Sequence, residues 1–288
     1  MSAMTQAALE IEPGSLVASR FRILRCLGHG SSGSVYLCID RRRRGRPLAL
    51  KVLPAKMVQN PNTLAIFNRE TSVGSRIKHT YVVRSFDTII NPEYVAFTME
   101  YMDGGNLADY LAAHGPLAVP TALRLLCELC SGVEALHRAA IVHHDIKPAN
   151  ILLSAGFKAK ISDFGTSRDQ TNASSSSGRS IFGTACYISP EYLKDGVSDV
   201  RCDIYAIGVV GYEMLAGQHP FKGKNFLETI TSRFHHNPKP LHLLRADCPL
   251  SLSRVIAKAM AREAEERFPT IKALQQALRA VKRQLPKQ

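Results

Sequence analysis

The chain has 288 residues, of which 37 are basic and 24 acidic, giving a net charge of +13, and 45% of it is hydrophobic. That length holds one large domain or two modest lobes, each with a core of its own. No apolar run approaches the roughly 18 residues of a membrane span, and the opening MSAMTQAALEIEP lacks the basic-then-apolar order of a secretory signal.

Residues 1–12 read as a loosely ordered leader, and the stretch after them is rich in strands: FRILRCL, SVYLCID, LALKVL, then, beyond a helical segment, VVRSFDTII and EYVAFTME. Between the first two strands lies LGHGSSGSV, where Gly28, Gly30, Gly33 and Val35 spell G-x-G-x-x-G-x-V. Dinucleotide-binding loops share the glycine spacing but run from a strand into a helix, whereas β-branched Val35 opens a second strand. A glycine hairpin of this kind lets backbone N–H groups approach phosphates without obstruction by Cβ. The chain contains no G-x-x-x-x-G-K-[ST] loop.

SVYLCID is followed by RRRRGR, Arg41 to Arg46. This reads either as a solvated hairpin turn or as a docking patch for an acidic partner. With no aromatic residues interleaved and no Trp in the chain, it does not favour nucleic acid. LALKVL places Lys51 in an otherwise apolar strand, where an unpaired ammonium is costly. Glu70, in the helical NTLAIFNRETSVGSRIKH, is a sensible partner, and an ammonium so held can neutralise nucleotide phosphates.

MDGGN, with two glycines and no periodicity, reads as a hinge, and helices dominate beyond it. A cleft is expected at such a junction. TALRLLCELCSGVEALHRA repeats Leu123, Leu126, Cys130, Val133 and Leu136 at helical spacing. Its lone CxxC, Cys127 and Cys130, is read as a pair of small core residues and not as zinc ligands. Seven cysteines without an export signal suit free thiols in a reducing compartment, hence a cytoplasmic location. CDIYAIGVVGYEML, apolar nearly all round, predicts a helix buried within its lobe, and TIKALQQALRAVKRQ predicts a closing surface helix packed through Ile271, Leu274, Leu278 and Val281.

Two polar stretches carry the chemistry. HHDIKPAN, residues 143 to 150, sits between the apolar AAIV and ILLS, and KISDFGTS puts Asp163 just after a strand. Carboxylate oxygen is a hard ligand suited to Mg²⁺. Asp145 can orient an attacking hydroxyl and take its proton, Lys147 can stabilise a transferring phosphoryl group, and Asn150 can hold a second Mg²⁺. Adjacent histidines on a loop seldom face one ion and no third and fourth ligand is evident, so His143 is read as a packed histidine that holds the loop's shape. NASSSSG, residues 172 to 178, reads as a mobile loop.

The glycine loop, Lys51, Glu70, HHDIKPAN, DFG and SPE occur in the order and spacing of the eukaryotic-type (Hanks-type) serine/threonine protein kinases, which the chain resembles over roughly residues 13–283, its bacterial members especially. The resemblance implies an α+β, bilobal fold: a small β-rich lobe with one main helix over 13–102, a larger helical lobe over 103–283, and a tail over 284–288. It implies transfer of the γ-phosphoryl group of ATP to Ser/Thr hydroxyls of protein substrates, autophosphorylation included, with Mg²⁺ or alternatively Mn²⁺. On this reading Gly28, Gly30, Gly33 and Val35 cover the nucleotide, and Lys51, paired with Glu70, meets the α- and β-phosphates. Met99 guards the back of the adenine pocket, Glu100 and Met102 offer backbone hydrogen bonds to adenine, and Asn106 lies near the ribose. Asp145 is the catalytic base, Lys147 meets the γ-phosphate, and Asn150 and Asp163 bind the metal. Phe164 and Thr184 take structural or regulatory places, Glu191 pairs with Arg267, and Asp203 braces the catalytic loop.

Four positions depart from the family pattern: His144 stands where arginine is usual, Ser32 where an aromatic is usual, Ser189 where alanine is usual, and Gly74 where a larger apolar residue would sit. The glycine predicts a loosely held helix. Candidate phosphorylation sites are Ser174, Ser175, Ser176, Ser177 and Ser180; with His144 in place of arginine, weak dependence on their phosphorylation is expected. A catalytically dead binding protein on the same fold is disfavoured by Lys51, Asp145, Asn150 and Asp163; a small-molecule phosphotransferase is disfavoured by Lys147 and by GTACYISPE, which the resemblance implies is a peptide-docking segment.

Overall fold

A computed structural model describes residues 10–30, 33–42, 45–165, 168–169, 185–221 and 223–285. Two compact units emerge, Met1–Lys78 with Val83–Tyr101, and His79–Val82 with Met102–Gln288.

The first unit is built on six antiparallel strands: β1 (Leu16–Val17), β2 (Phe21–Gly30), β3 (Gly33–Asp40), β4 (Pro47–Pro54), β5 (Ser85–Ile90) and β6 (Tyr94–Glu100), in the order β1-β2-β3-β4-β6-β5. Strand β3 alternates strictly, burying Ser34, Tyr36, Cys38 and Asp40, the period of two that a pleated strand imposes. Strand β4 is buried continuously from Leu48 to Leu53 because both of its faces are covered. Leu48, Leu50 and Val52 join Phe21, Ile23 and Tyr36 in one cluster, while Leu53 joins Phe67, Val95 and Phe97 in another. Buried Asp40 is answered by Arg20, through Nε at 2.9 Å and Nη2 at 2.6 Å.

After β4 come α1 (Ala55–Val58) and α2 (Pro61–Arg76). Helix α2 starts where the Asn60 side chain accepts the Asn62 N–H and Pro61 supplies a preset φ. It buries Phe67, Glu70, Val73 and Gly74. The sequence predicts that Gly74 loosens this helix, but a Cβ there would lie 2.3 Å from Ser85 Oγ. The glycine is the point at which α2 presses against β5.

The second unit contains α3 (Leu107–His114), α4 (Val119–Arg138), β7 (Ile141–Val142), β8 (Ile151–Leu153), β9 (Ala159–Ile161), β10 (Arg168–Asp169), α5 (Pro190–Asp195), α6 (Val200–Ala216), α7 (Phe226–His235), α8 (Leu241–Leu244), α9 (Leu250–Ala259) and α10 (Ile271–Gln284). Helix α6 is buried without a break from Cys202 to Tyr212 and packs against α4 and α9. Helix α10 buries Ile271, Leu274, Leu278 and Val281, and Gln275 Nε2 donates to the Cys127 carbonyl at 2.9 Å. Cys127 and Cys130 are free thiols whose pKa values burial pushes up. Among the described residues, no group of three or more His, Cys, Asp and Glu is placed to hold a metal ion, and no helix is long and apolar enough to cross a membrane.

The small unit is therefore not the unbroken stretch 13–102. Residues 79–82 belong with the helical unit because Ile161 N–H donates to the Tyr81 carbonyl at 3.0 Å and Val82 bridges to Ile161. Met102 falls in that unit too, one residue before the join read from sequence.

Candidate active site

In the first unit, the alternation of β4 turns Lys51 away from the Leu50 cluster and towards α2. Its Nζ donates to Glu70 Oε1 at 2.9 Å and Oε2 at 2.7 Å, with both side chains more than nine-tenths buried. Lys51 is flanked in register by Val35 and Phe97, and its ammonium lies 5.8 Å from the centroid of the Phe97 ring. The β2–β3 hairpin brings Gly30 opposite Gly33, with an irregularity between Cys26 and Gly28; Ser31 and Ser32 lie outside the described residues. Gly33 has φ +112, and a Cβ there would lie 2.3 Å from the Val52 carbonyl oxygen, so only glycine lets β3 start so close to β4. Met99 packs against the Phe67–Phe97 cluster, and Glu100 sits opposite Leu48 with its N–H on the Arg84 carbonyl at 2.9 Å.

In the second unit, residues 143–150 leave β7 and close in the single 3-10 turn Pro148–Asn150. Asp203, one turn into α6 and shut off from solvent, accepts the N–H of His143 at 2.9 Å, the N–H of His144 at 3.0 Å and the Nε2–H of His137 at 2.8 Å. Burial alone would push this carboxyl up; the His137 hydrogen bond and the charges of His137, His144 and His143 outweigh it and hold the pKa at about 2. His143, fully buried, accepts the Asp145 N–H at Nδ1 (3.2 Å), which leaves Nε2–H to donate to the Ser162 carbonyl (3.1 Å). Its ring meets Phe164 edge-on at 5.5 Å.

Three polar side chains converge here. Lys147 Nζ donates to Asp145 Oδ1 at 2.9 Å and Oδ2 at 3.0 Å, and Asn150 Nδ2 donates to Asp145 Oδ2 at 2.9 Å and to its carbonyl at 2.8 Å. The Ser162 N–H and Oγ–H both donate to the Asn150 carbonyl, at 3.0 and 3.1 Å, tying the loop to the residue before Asp163. His144 and Asp163 both have φ of +63. Left-handed backbone at non-glycine residues is strained and concentrates at functional sites.

Beyond this centre, Arg267 Nη1 and Nη2 donate to Glu191 Oε1 and Oε2 at 2.7 Å each, and Arg267 also donates to the carbonyls of Ala261, Arg201 and Arg262. Burial would raise the Glu191 pKa, but the Arg267 bonds and charge hold it below its ordinary value. Asn106 is the N-cap of α3: its Oδ1 accepts the Asp109 N–H at 2.9 Å and its Nδ2 donates to the Asp109 carboxylate at 2.7 Å. Ser174 to Ser177, Ser180 and Thr184 lie outside the described residues. Sequence reasoning assigned no role to His137, to Ser198, whose Oγ is 2.6 Å from His144 Nε2, or to the Tyr187 hydroxyl, which donates to Glu213 at 2.6 Å. Tyr187 falls inside the quoted GTACYISPE; nothing local marks the other two.

The family model for the protein kinase domain matches residues 21–278. The probable serine/threonine-protein kinase PknB of Lactococcus lactis is 30% identical over 264 residues, covering 92% of this chain and 42% of that protein. The serine/threonine-protein kinase PknB of Mycolicibacterium smegmatis is 32% identical over 260 residues, 88% of this chain and 41% of that protein. For the serine/threonine-protein kinase PknL of Mycobacterium tuberculosis the figures are 32% over 271 residues, 94% and 68%. The chain thus spans less than half the length of the two PknB proteins.

Proposed function

This chain belongs to the protein kinase domain family, and on that premise we propose that it transfers the γ-phosphoryl group of ATP to serine and threonine hydroxyls of protein substrates, its own included. Its fold is the α+β, bilobal one of that family, with a β-rich and a helical unit. The observation that carries the reading is the convergence of Lys147 and Asn150 on Asp145.

Asp145 orients the acceptor hydroxyl and takes its proton, while the ammonium of Lys147 beside it stabilises charge on the phosphoryl group in flight. Asn150 uses its side-chain NH₂ on Asp145, and those bonds do not occupy the side-chain Oδ1. Together with the Asp163 carboxylate this is an all-oxygen donor set suited to Mg²⁺, and to Mn²⁺ as an alternative. The bound ion supplies neutralisation of the phosphate oxygens. In the other unit Glu70 holds Lys51 for the α- and β-phosphates, and the backbone of the Gly28–Gly33 hairpin covers them, with Val35 over the base. Glu100 and Met102 present backbone groups to adenine. Asn106 caps α3 through one N–H and one lone pair of its amide, and the second N–H and second lone pair can meet a ribose.

The free cysteines suit a reducing, cytoplasmic setting, and the arginine turn Arg41–Arg46 suits an acidic protein partner. A phosphotransfer assay with labelled ATP, Mg²⁺ and a generic protein acceptor tests the central claim. Wild type should yield phosphoserine and phosphothreonine; Asp145→Asn and Asp163→Asn should each yield none. Wild-type turnover in both variants, or phosphotyrosine alone, would sink it.

A further inference from the structure

The segment Ala185–Ser189, part of the GTACYISPE peptide, is held by side chains from α6, from α7 and from the turn between them. Arg233 of α7 is among the largest fully buried side chains of the protein. Its Nη2 donates to the Cys186 carbonyl at 3.0 Å, its Nη1 to the Ile188 carbonyl and its Nε to the Ile230 carbonyl at 3.0 Å. No carboxylate pairs with it among the described residues, and burial pulls its pKa below that of an ordinary guanidinium. His219 adds a second donor to the Cys186 carbonyl: its Nδ1 accepts the Phe221 N–H at 3.2 Å, so Nε2–H points at the oxygen, 3.1 Å away. Burial takes the His219 pKa down to about 4, so the ring is neutral at physiological pH. Between the two gripped carbonyls, the Tyr187 hydroxyl donates to Glu213.

A buried cation answered only by carbonyl dipoles is a poor device for stability. A planar fork bonded to two peptide groups two residues apart is a good device for fixing their spacing, and a lysine ammonium cannot reproduce it. We propose that Arg233 is a positioning residue for the protein acceptor: its guanidinium sets the Cys186 and Ile188 peptide groups, and through them the surface on which the acceptor chain docks. The inference rests on the kinase reading above, which supplies the acceptor. The Arg233 side chain bonds to the Ile230, Ile188 and Cys186 carbonyls and to none of Asp145, Lys147 and Asn150, so its effect belongs in the KM for the acceptor.

The test is steady-state kinetics of Arg233→Lys and Arg233→Gln with a protein or peptide acceptor, each variant first shown to unfold cooperatively. Acceptor KM should rise about tenfold or more, while KM for ATP and kcat at saturating acceptor stay within about twofold of wild type. Lysine, which keeps the charge but not the fork, should be no better than glutamine. An unchanged acceptor KM, a parallel rise in both KM values, or loss of cooperative unfolding in both variants would overturn the proposal and make Arg233 a structural residue. A wild-type protein that phosphorylates no protein acceptor would instead remove the kinase reading itself.

Discussion

The carboxylate of Asp203 and the imidazole of His137 meet at 2.8 Å, with both side chains nine-tenths or more buried. The same carboxylate fixes the N–H groups that start the 143–150 loop, at His143 and His144. Its folded pKa of about 2 lies below the ordinary value of 3.8, so folding favours the ionised form. The stability this contributes is present above about pH 4 and is lost as pH falls towards 2. In Asp203→Asn one amide cannot accept all three donors, because half of it donates. Unfolding free energy at neutral pH should fall by about 3 kcal/mol, and the decline in stability between pH 4 and 2 should become shallower. Urea unfolding across that pH range measures both; an unchanged acid limb would show that Asp203 does not carry this dependence.

Lys51 and Glu70 pose a different problem, since each is buried and each answers the other. Removing Glu70 takes two hydrogen bonds away from a buried ammonium, at a cost of about 3 to 5 kcal/mol. Glu70→Ala should therefore destabilise by that order. Lys51→Met removes the ammonium and leaves Glu70 buried without these two bonds. It should bind ATP weakly and turn over at least about a hundredfold more slowly. Isothermal titration with Mg-ATP, paired with thermal unfolding, separates the two effects. Tight nucleotide binding by Lys51→Met would contradict the phosphate role.

Much of this was legible in the sequence, for a physical reason. Lys51 stood out because an ammonium in an apolar strand demands a partner, and Glu70 lay in the neighbouring helix. The alternation of β3 and the all-round burial of α6 follow directly from residue pattern. What was hidden depends on tertiary approach. The His137 imidazole comes to Asp203 from the end of another helix, 66 residues away in sequence, and Arg233 sits in a polar-looking helix whose pattern does not reveal a buried guanidinium. Gly74 misled because propensity scores a glycine by its helix alone, whereas here the facing strand dictates it. Chain continuity places residues 79–82 in the small lobe, yet the Tyr81 carbonyl and Val82 pair with Ile161.

The arginine turn should be separable from catalysis. Its described backbone is held through main-chain donors, Arg42 N–H to the Asp40 side-chain Oδ1 at 2.9 Å and Arg41 N–H to the Arg20 carbonyl at 3.2 Å. Replacing Arg41 to Arg44 with serine leaves those donors in place. Kinetics on a short neutral peptide should change by less than about twofold, while binding to an acidic protein should weaken and lose its dependence on salt. A collapse of activity on the neutral peptide would rule out a pure docking role.

On the proposed kinase reading, His144 sets how far catalysis depends on phosphorylation of Ser174 to Ser177 and Ser180. An arginine at this position is a permanent cation with a fork that pairs bidentately with phosphate; a histidine has neither property. In this protein the imidazole Nε2 lies 2.6 Å from Ser198 Oγ, and the ring stacks on Tyr192 at 4.6 Å between centroids. Those contacts tie the ring to the chain that follows α5 and to α5 itself, so meeting a phosphate would mean leaving both. Replacing Ser174 to Ser177 and Ser180 with alanine should therefore lower kcat/KM by less than roughly tenfold, or about 1.4 kcal/mol of transition-state stabilisation. In a His144→Arg background the same replacements should cost more, because the guanidinium would then have a phosphate to lose. Kinetics of the four proteins, with phosphate content fixed by mass spectrometry, closes the cycle. A hundredfold loss in the serine-to-alanine protein with His144 intact, reversed by restoring one phosphorylated serine, would show that this histidine or another cation does read the phosphate.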